Sequence, residues 1–252
     1  RHNSSNRYVP MILPDGRSLH GINDASIRIG LRLSKDETIV RMPFEVRHMG
    51  SKYPIFSFDF TGAKRGVLPA SYDYLRLEGR MQYRLNLPPI GYSQLMLEGG
   101  KIFGKVPYLL LKLHEGNGTY FYDRYAFSCM NFYEFSSDAW ISFFYEHHFN
   151  GFLLGRVPLL KKLNWREVFV FKGVYGTLSA RNDGSLPNTK AVMLFPVGMS
   201  SVEHPYLETG FGIENIFRLL RVDCIWRLTH HRAVPGLSIP TFTVNFSLNL
   251  KF

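Results

Sequence analysis

The chain has 252 residues, of which 45% are hydrophobic, and 30 Lys and Arg against 20 Asp and Glu give a formal net charge of +10. No segment approaches 18 uninterrupted apolar residues, which excludes a transmembrane helix. The basic residues occur singly within alternating patterns, not in one run or on one helix, which argues against nucleic-acid binding. Cys129 and Cys224 lack metal-binding or redox spacing. They fall on strands far apart in the predicted order, so we expect no disulfide; we also expect no metal and no cofactor.

Strands with alternating apolar and polar residues are predicted through most of the chain. Residues 1–23 are interpreted as a loop or the end of a preceding strand, and residues 24–252 as the unit itself. Its first strands are Asp24–Ser34, a less regular Glu37–Arg47, and Pro54–Phe60, in which phenylalanines alternate with polar residues. Because successive strand side chains point to opposite faces, each strand has one apolar and one polar face.

Two strands carry an unusual set of charges on the polar face. Tyr72–Leu87 alternates apolar residues with charged ones, and Phe217–His230 repeats the pattern. The residues of this predicted charge network are Arg76, Glu78, Arg80, Arg84, Arg221, Asp223 and Arg227. Such a face suits a solvent-exposed sheet or a barrel wall that faces a wet lumen. In a barrel, the set would form either a rigidifying salt-bridge network or a selectivity lining for anions or acidic polypeptide.

The middle of the chain adds further strands joined by short turns. We predict strands at Tyr92–Lys101, Tyr120–Phe132, Ser137–Phe149, Arg166–Ser179 and Tyr206–Gly212. Pro88–Gly91 is predicted to be a turn. The segment from Gly212 to Leu220 is interpreted as a tight, partly helical turn, and a helix from Ile213 to Val222 is the competing interpretation.

The last thirteen residues form the clearest strand of the sequence. Between Pro240 and Phe252 apolar and polar residues alternate without error. This length suffices to cross a bilayer, since a tilted membrane strand needs about 9–11 residues. Phe252 is the predicted barrel-closing C-terminal signal. With 21 Phe and 14 Tyr available for interfacial girdles, the pattern predicts an all-β, antiparallel transmembrane β-barrel; a soluble sandwich or lipocalin-like barrel remains the alternative.

Counting strands back from Phe252 assigns a side to each connection. We count about eleven strands where closed single-chain bacterial barrels use an even number, so we expect the first strands to precede Arg1. His231–Ile239, Arg181–His204, Tyr133–Ser136 and Pro88–Gly91 are predicted to be external. Ile102–Thr119, Asn150–Trp165 and Gly212–Ile216 are predicted to be periplasmic.

Two of the predicted periplasmic connections contain short amphipathic segments. Pro158–Leu163 reads as a short helix with proline near its start, and Gly104–Leu113 is similar. They either cap the barrel or lie in the headgroup region, or they dock periplasmic partners. The docking candidates are Tyr108, Leu110, Leu159, Leu160, Lys161 and Lys162.

Several long segments resemble a known outer-membrane family. They are Tyr145–Gly151, Val157–Val168, Leu207–Phe217 and Leu220–Leu228, and the resemblance extends from about Tyr72 to Phe252. The family carries a carboxypeptidase-regulatory-like domain ahead of a surface-antigen-type barrel. That barrel is similar to the BamA/TamA superfamily, whose barrels have sixteen strands. The resemblance implies that this chain is the C-terminal part of such a barrel, in the outer membrane of a Gram-negative bacterium.

One superfamily feature is missing from the sequence. The Val-Arg-Gly-Phe-type motif, which lies on a long external loop that folds into the lumen, has no counterpart. By counting back, that loop would be Tyr133–Ser136, which is too short. The resemblance therefore predicts location and fold, not insertase activity.

The sequence also disfavours an enzyme. Adjacent His147 and His148 on one strand face opposite ways and cannot share a metal ion without a partner strand. Ser142 and His148 lie about 20 Å apart along the strand, too far for a nucleophile and its base. We therefore predict a non-enzymatic subunit or scaffold of an envelope machine for outer-membrane protein assembly, export or surface display; the alternative is a passive or substrate-selective channel with a charged lumen. Predicted partners are outer-membrane lipid, lipopolysaccharide and other envelope proteins.

Overall fold

A computed structural model describes residues 2–4, 10–42, 45–66, 70–185, 190–232 and 238–248. The described chain is mostly antiparallel β-sheet with almost no helix, which confirms the all-β prediction. Its main sheet is a meander in which sequential strands are neighbours. In chain order these strands are β1 (Ile27–Leu33), β2 (Ile55–Ala63), β3 (Tyr74–Asn86), β4 (Tyr92–Gly104), β5 (Ala139–His148), β6 (Arg166–Thr177), β7 (Tyr206–Ile216), β8 (Leu220–Arg227) and β9 (Phe242–Leu248).

The remaining described elements are short and lie outside the main sheet. Two-stranded pairs join His2–Ser4 to Gly21–Asn23 and Thr38–Met42 to Glu45–Gly50. A three-stranded sheet contains Lys112–Leu113, Phe135–Ser137 and Ser200–Ser201. Single 3-10 turns lie at Tyr108–Leu110 and Leu154–Arg156, and one α-helix, α1, spans Pro158–Leu163. No helix in the described ranges is long and apolar enough to cross a membrane.

The register divides the main sheet into a polar and an apolar face. Arg80 of β3 is opposite Glu98 of β4, whereas Met81 is opposite Leu97. Residues directly opposite one another share a face, and faces alternate along each strand. The same parity holds from β1 to β9, so that the predicted alternation becomes one continuous division of the sheet.

The predicted strand Tyr120–Phe132 is wrong. This segment runs through turns and bends and makes only two isolated bridges, between Phe121 and Phe246 and between Phe127 and Gly116. Its aromatic content resembles that of a strand, but its backbone forms hydrogen bonds with the Lys172 and Glu208 side chains of the main sheet. The predicted single strand Glu37–Arg47 is likewise two paired strands, Thr38–Met42 and Glu45–Gly50.

This correction changes the ends assigned to two connections. Of the described residues, 64–66, 70–73, 105–138, 178–185, 190–205, 228–232 and 238–241 belong to connections at the long-loop end of the sheet. Residues 34–42, 45–54, 87–91, 149–165 and 217–219 belong to connections at the helix end. Removing one false strand reverses the parity of everything before it. Pro88–Gly91 therefore lies at the helix end and most of Ile102–Thr119 at the long-loop end, each opposite to the prediction.

Other local predictions have mixed outcomes. The helix Pro158–Leu163 is confirmed, with Pro158 in its first turn and Asn164 in the left-handed conformation at its C-cap. The competing helix from Ile213 to Val222 is wrong, because β7 continues to Ile216 and β8 begins at Leu220. The predicted closing residue Phe252 lies outside the described residues.

Candidate functional site: the polar face and the segment that crosses it

The polar face holds charged side chains that are almost completely buried. Strands β4 to β8 each contribute at least one at the same face by the alternation of their sequence. These residues include Glu98, Glu146, Lys172, Glu208 and Asp223. Burying a charge is costly unless it is paired or hydrogen-bonded, so each must have partners. Glu98 pairs with Arg80 and Lys112, and Asp223 pairs with Arg221.

For Glu146, Lys172 and Glu208, partners come from residues 114–134, here called the inner segment. It is part of the connection between β4 and β5 and crosses the polar face. The ammonium group of Lys172 donates to the carbonyl oxygens of Asp123 at 2.8 Å and Ala126 at 2.6 Å. The Glu208 carboxylate accepts the backbone N–H groups of Ser128 at 2.8 Å and Cys129 at 2.7 Å. Side chains of the main sheet thus hydrogen-bond backbone groups of the inner segment that neighbouring strands would bind if this segment were a β-strand.

Glu146 is the centre of the largest charge cluster. Its carboxylate accepts from Arg124 Nε at 2.7 Å and from Arg221 Nη2 at 3.2 Å. Tyr122 also donates its hydroxyl to Glu146. Burial, and next the Glu146 charge, raise the pKa of the Tyr122 hydroxyl, which keeps it protonated and able to donate. On the far side, His148 lies 3.4 Å from Glu146 and 3.1 Å from the Glu214 carboxylate.

Arg227 anchors the end of the inner segment. Its guanidinium pairs with Glu134 at 2.6 Å and donates to the Cys129 carbonyl oxygen at 3.2 Å. At the other side of the face, the backbone of Tyr120 and Tyr122 exchanges two 2.7 Å hydrogen bonds with Phe246. The inner segment therefore also covers part of the outer edge of β9.

An apolar cluster fills the space between these charges. Phe127 and Met130 of the inner segment pack with Phe144, Val174 and Tyr206 of the sheet. The rings of Phe127 and Tyr206 meet edge to face with centroids 5.3 Å apart. Burial raises the pKa of the adjacent Cys129 thiol to about 12, so this cysteine is a packed thiol and not a nucleophile.

A polar cavity of about 230 Å³ remains beside the inner segment. Its lining includes Arg80, Glu98, Lys112, His114, Asp123 and Ser142. Glu98 binds both cations, with Arg80 and Lys112 each at 2.6 Å.

The seven residues of the predicted charge network all lie on the polar face, but in separate groups. Arg76 pairs with Glu78 at 2.7 Å, Arg80 pairs with Glu98, and the Arg84 guanidinium lies 4.1 Å from the Tyr92 ring centroid. Arg221 binds Asp223 at 2.8 Å, while Arg227 binds the inner segment. The partners that sequence reasoning missed are Glu98, Lys112, Arg124, Glu134 and Glu146. Glu98 and Glu146 had a usable signal, because each occupies a polar position within its own alternating strand.

Of the predicted docking residues, Tyr108 is not accessible. It is 1% exposed, and Leu110 is partly buried against the same core cluster at the long-loop end. The prediction of Tyr108 as a docking residue is wrong because its ring packs into the core at the end of the sheet. Leu159 is 75% exposed at the helix end, Lys161 and Lys162 are exposed, and Leu160 is half-buried.

The two adjacent histidines face opposite ways, as predicted. His147 lies on the apolar face and contacts Ser93 Oγ at 2.8 Å and the Ile90 carbonyl oxygen at 3.0 Å. His148 lies on the polar face against Glu214. Within the described ranges no group of three or more His, Cys, Asp or Glu could hold a metal ion.

The fold and the site define a class of protein: an antiparallel β-meander with two unlike faces, whose polar face is filled by its own β4–β5 connection. Residues 15–180 match the C-terminal domain of a family of unknown function, DUF5686. The match covers more than half of the chain, and the chain belongs to this family. No curated protein matches it.

Proposed function

We propose that this chain is an integral outer-membrane protein whose main sheet forms part of a transmembrane β-barrel wall. The observation that carries the proposal is the apolar face. Its residues are exposed although they are large and hydrophobic: Ile29 is 67% exposed, Phe211 60% and Leu248 63%. An exposed apolar surface of this extent marks contact with another apolar phase. A barrel wall presents that surface to lipid and its polar face to the lumen.

The height of the apolar face fits a bilayer. Within the described strands, the only Asp, Glu, Lys or Arg on this face are Lys101 of β4 and Glu167 of β6. Lys101 is opposite Ala139, which is opposite Thr177, so the two charges are separated by about ten residues, or ~33 Å along the strands. Tilted by about 45°, that length matches an apolar band roughly 25 Å tall.

The filled polar face favours a structural role over an open pore. The inner segment occupies the face from β4 to β9 and is fixed by buried charge pairs, and we propose no catalytic group there. We therefore propose a subunit or scaffold of an envelope machine for outer-membrane protein assembly, export or surface display, as the sequence resemblance to a family with a BamA/TamA-like barrel implies. Outer-membrane lipid, lipopolysaccharide and other envelope proteins are its proposed partners, and an N-terminal carboxypeptidase-regulatory-like domain belongs to the same proposal.

A channel with a charged lumen is the second candidate. The charged cavity beside the inner segment, with Arg80, Lys112 and Glu98 in its lining, is the observation in its favour. Conductance in planar bilayers separates the two roles: a scaffold filled by its own chain gives no stepwise current, whereas a passive channel does.

Membrane integration is tested by extraction of native membranes. We expect the full-length protein to remain in the outer-membrane pellet after alkaline carbonate and after urea, and to need detergent for release. Recovery in the soluble fraction under either treatment would overturn the proposal. A known peripheral outer-membrane protein in the same preparation controls for complete stripping.

A further inference from the structure

A basic and apolar collar lies at the helix end of the sheet, formed by residues 151–163 and 217–219. Between Phe149 and Arg166 the chain has three basic residues, Arg156, Lys161 and Lys162, and no Asp or Glu. The neighbouring turn adds Arg218. None of the ion pairs that described residues form includes Arg156, Lys161, Lys162 or Arg218. Among the described residues, these cations therefore have no carboxylate partner, although the Arg156 guanidinium lies 4.1 Å from the Phe152 ring centroid.

The same collar exposes large apolar side chains. Leu153 is 53% exposed, Leu159 75% and Phe217 87%. Leu159 and Leu163 are four residues apart on α1, so they lie on one side of the helix. The two parts of the collar are linked through residues that flank them, because Asn215 Nδ2 donates to the Asn164 carbonyl oxygen at 2.8 Å.

The collar leans toward the apolar face of the sheet, not over the polar one. Glu167 lies on the apolar face, and its carboxylate accepts the backbone N–H of Leu154. His147, also on the apolar face, packs its ring on Phe149 with centroids 4.3 Å apart. The chain that leaves β5 and enters α1 thus follows the side of the sheet that carries exposed hydrophobic residues.

We propose that the collar binds the anionic phospholipid headgroups of the leaflet at the helix end. The leucines and Phe217 insert at the boundary between acyl chains and headgroups, and Arg156, Lys161, Lys162 and Arg218 bind lipid phosphates. Exposed apolar residues beside unpaired cations are the composition of an interfacial helix, and each basic residue near an anionic surface contributes attraction. This inference rests on the proposed membrane location and adds the lipid class and its binding residues.

The test uses the full chain in which Cys224 is replaced by Ser, with buried Cys129 left in place. An environment-sensitive fluorophore is attached at Leu159→Cys, and at Phe211→Cys as a reference on the apolar face. The proteins are reconstituted into vesicles of phosphatidylcholine alone or with phosphatidylglycerol. We expect lipids brominated near the headgroup to quench position 159 in phosphatidylglycerol vesicles and much less in phosphatidylcholine vesicles, with a strong dependence on salt.

Charge variants assign the effect to the collar. Replacing Arg156, Lys161, Lys162 and Arg218 with Gln should weaken docking of position 159 by roughly fivefold for each cation removed. Replacing exposed Lys64, Arg181 and Lys190 at the long-loop end with Gln is the matched control and should leave docking unchanged.

The outcomes separate this inference from the proposed function. Quenching at position 211 with no quenching at 159 in either vesicle type overturns the collar and leaves the membrane location standing. Protection of position 159 in native membranes but not in protein-free anionic vesicles assigns the surface to a protein partner and also overturns it. Loss of quenching at position 211 contradicts the membrane location itself.

Discussion

Arg124 donates from Nε to the Glu146 carboxylate at 2.7 Å, and this pair joins the inner segment to the middle of the main sheet. Glu146 is 1% exposed, and the Arg221 side chain that also binds it is 3% exposed. The inner segment is therefore joined to the folded core through the buried carboxylate of Glu146.

Replacing Glu146 with Ala should destabilise the protein strongly. The change leaves the Arg124 and Arg221 cations without this carboxylate, and removing one partner of a buried pair costs about 3–5 kcal/mol. Arg124→Ala should cost less, about 1 kcal/mol or below, because the Arg124 side chain is 37% exposed. Urea unfolding in detergent micelles, followed by tryptophan fluorescence, measures both. Equal losses in the two variants would contradict a central role for Glu146.

Glu208→Gln should loosen the inner segment locally. Three donors converge on this carboxylate: the N–H groups of Ser128 and Cys129 and the Tyr206 hydroxyl. A glutamine has only one oxygen and would turn its NH₂ group toward a donor, at a cost of about 1–3 kcal/mol. Hydrogen exchange should accelerate at the amides of residues 128 and 129. The exposed Glu203→Gln is the control, and unchanged exchange in Glu208→Gln would refute the assignment.

His114 should make stability depend on pH. Burial, and next the Lys112 charge, lower the pKa of His114 to about 3. The unfolded histidine binds a proton below about pH 6.5, whereas the folded one does not. The free energy of unfolding should therefore fall as the pH falls from 6.5 toward 3. In this range the folding equilibrium constant should decrease by up to about tenfold for each pH unit.

Substitution isolates this contribution from those of the carboxylates. His114→Gln retains a side chain able to hydrogen-bond Ser137 Oγ, which His114 Nε2 contacts at 2.9 Å, but it cannot titrate. The urea midpoint of this variant should decrease less between pH 7 and pH 5 than that of the parent protein. An identical decrease in both would count against a buried neutral His114.

The repeated period-two pattern predicted the strands and their two faces because each strand carries that information locally. The proline and leucine spacing of Pro158–Leu163 predicted the helix for the same reason. The inner segment could not be predicted this way. Its backbone is held by Lys172 and Glu208, which are distant in sequence, while its own aromatic residues resemble a strand.

For the candidate site, the sequence predicted which residues share the polar face of the sheet but not which of them pair. Alternation placed Arg80 and Arg221 on that face, but no local pattern specifies that Arg221 shares Glu146 with Arg124. Such a pairing depends on which strands are neighbours and on the route of the β4–β5 connection. One false strand was also enough to reverse the end assigned to Pro88–Gly91, because antiparallel connections alternate.

Phe211→Lys distinguishes lipid from water at the apolar face. Phe211 lies within β7, and a lysine near the bilayer midplane costs about 2–4 kcal/mol. The variant should be destabilised by that amount in vesicles. Val197→Lys, at a site 86% exposed in a connection at the long-loop end, should be nearly neutral. Equal stability of the two variants in vesicles would argue that the apolar face does not meet lipid.

The most direct test of the central claim is the periodicity of lipid contact along β3. Single cysteines at positions 81 to 85, in the Cys224→Ser protein, are labelled with a fluorophore and reconstituted into vesicles. Chain-brominated lipids should quench the labels at Met81, Tyr83 and Leu85, and aqueous iodide should not reach them from the lipid side. Labels at Gln82 and Arg84 should escape lipid quenching. Uniform quenching by iodide at all five positions, or lipid quenching without a period of two, would contradict a membrane-spanning sheet.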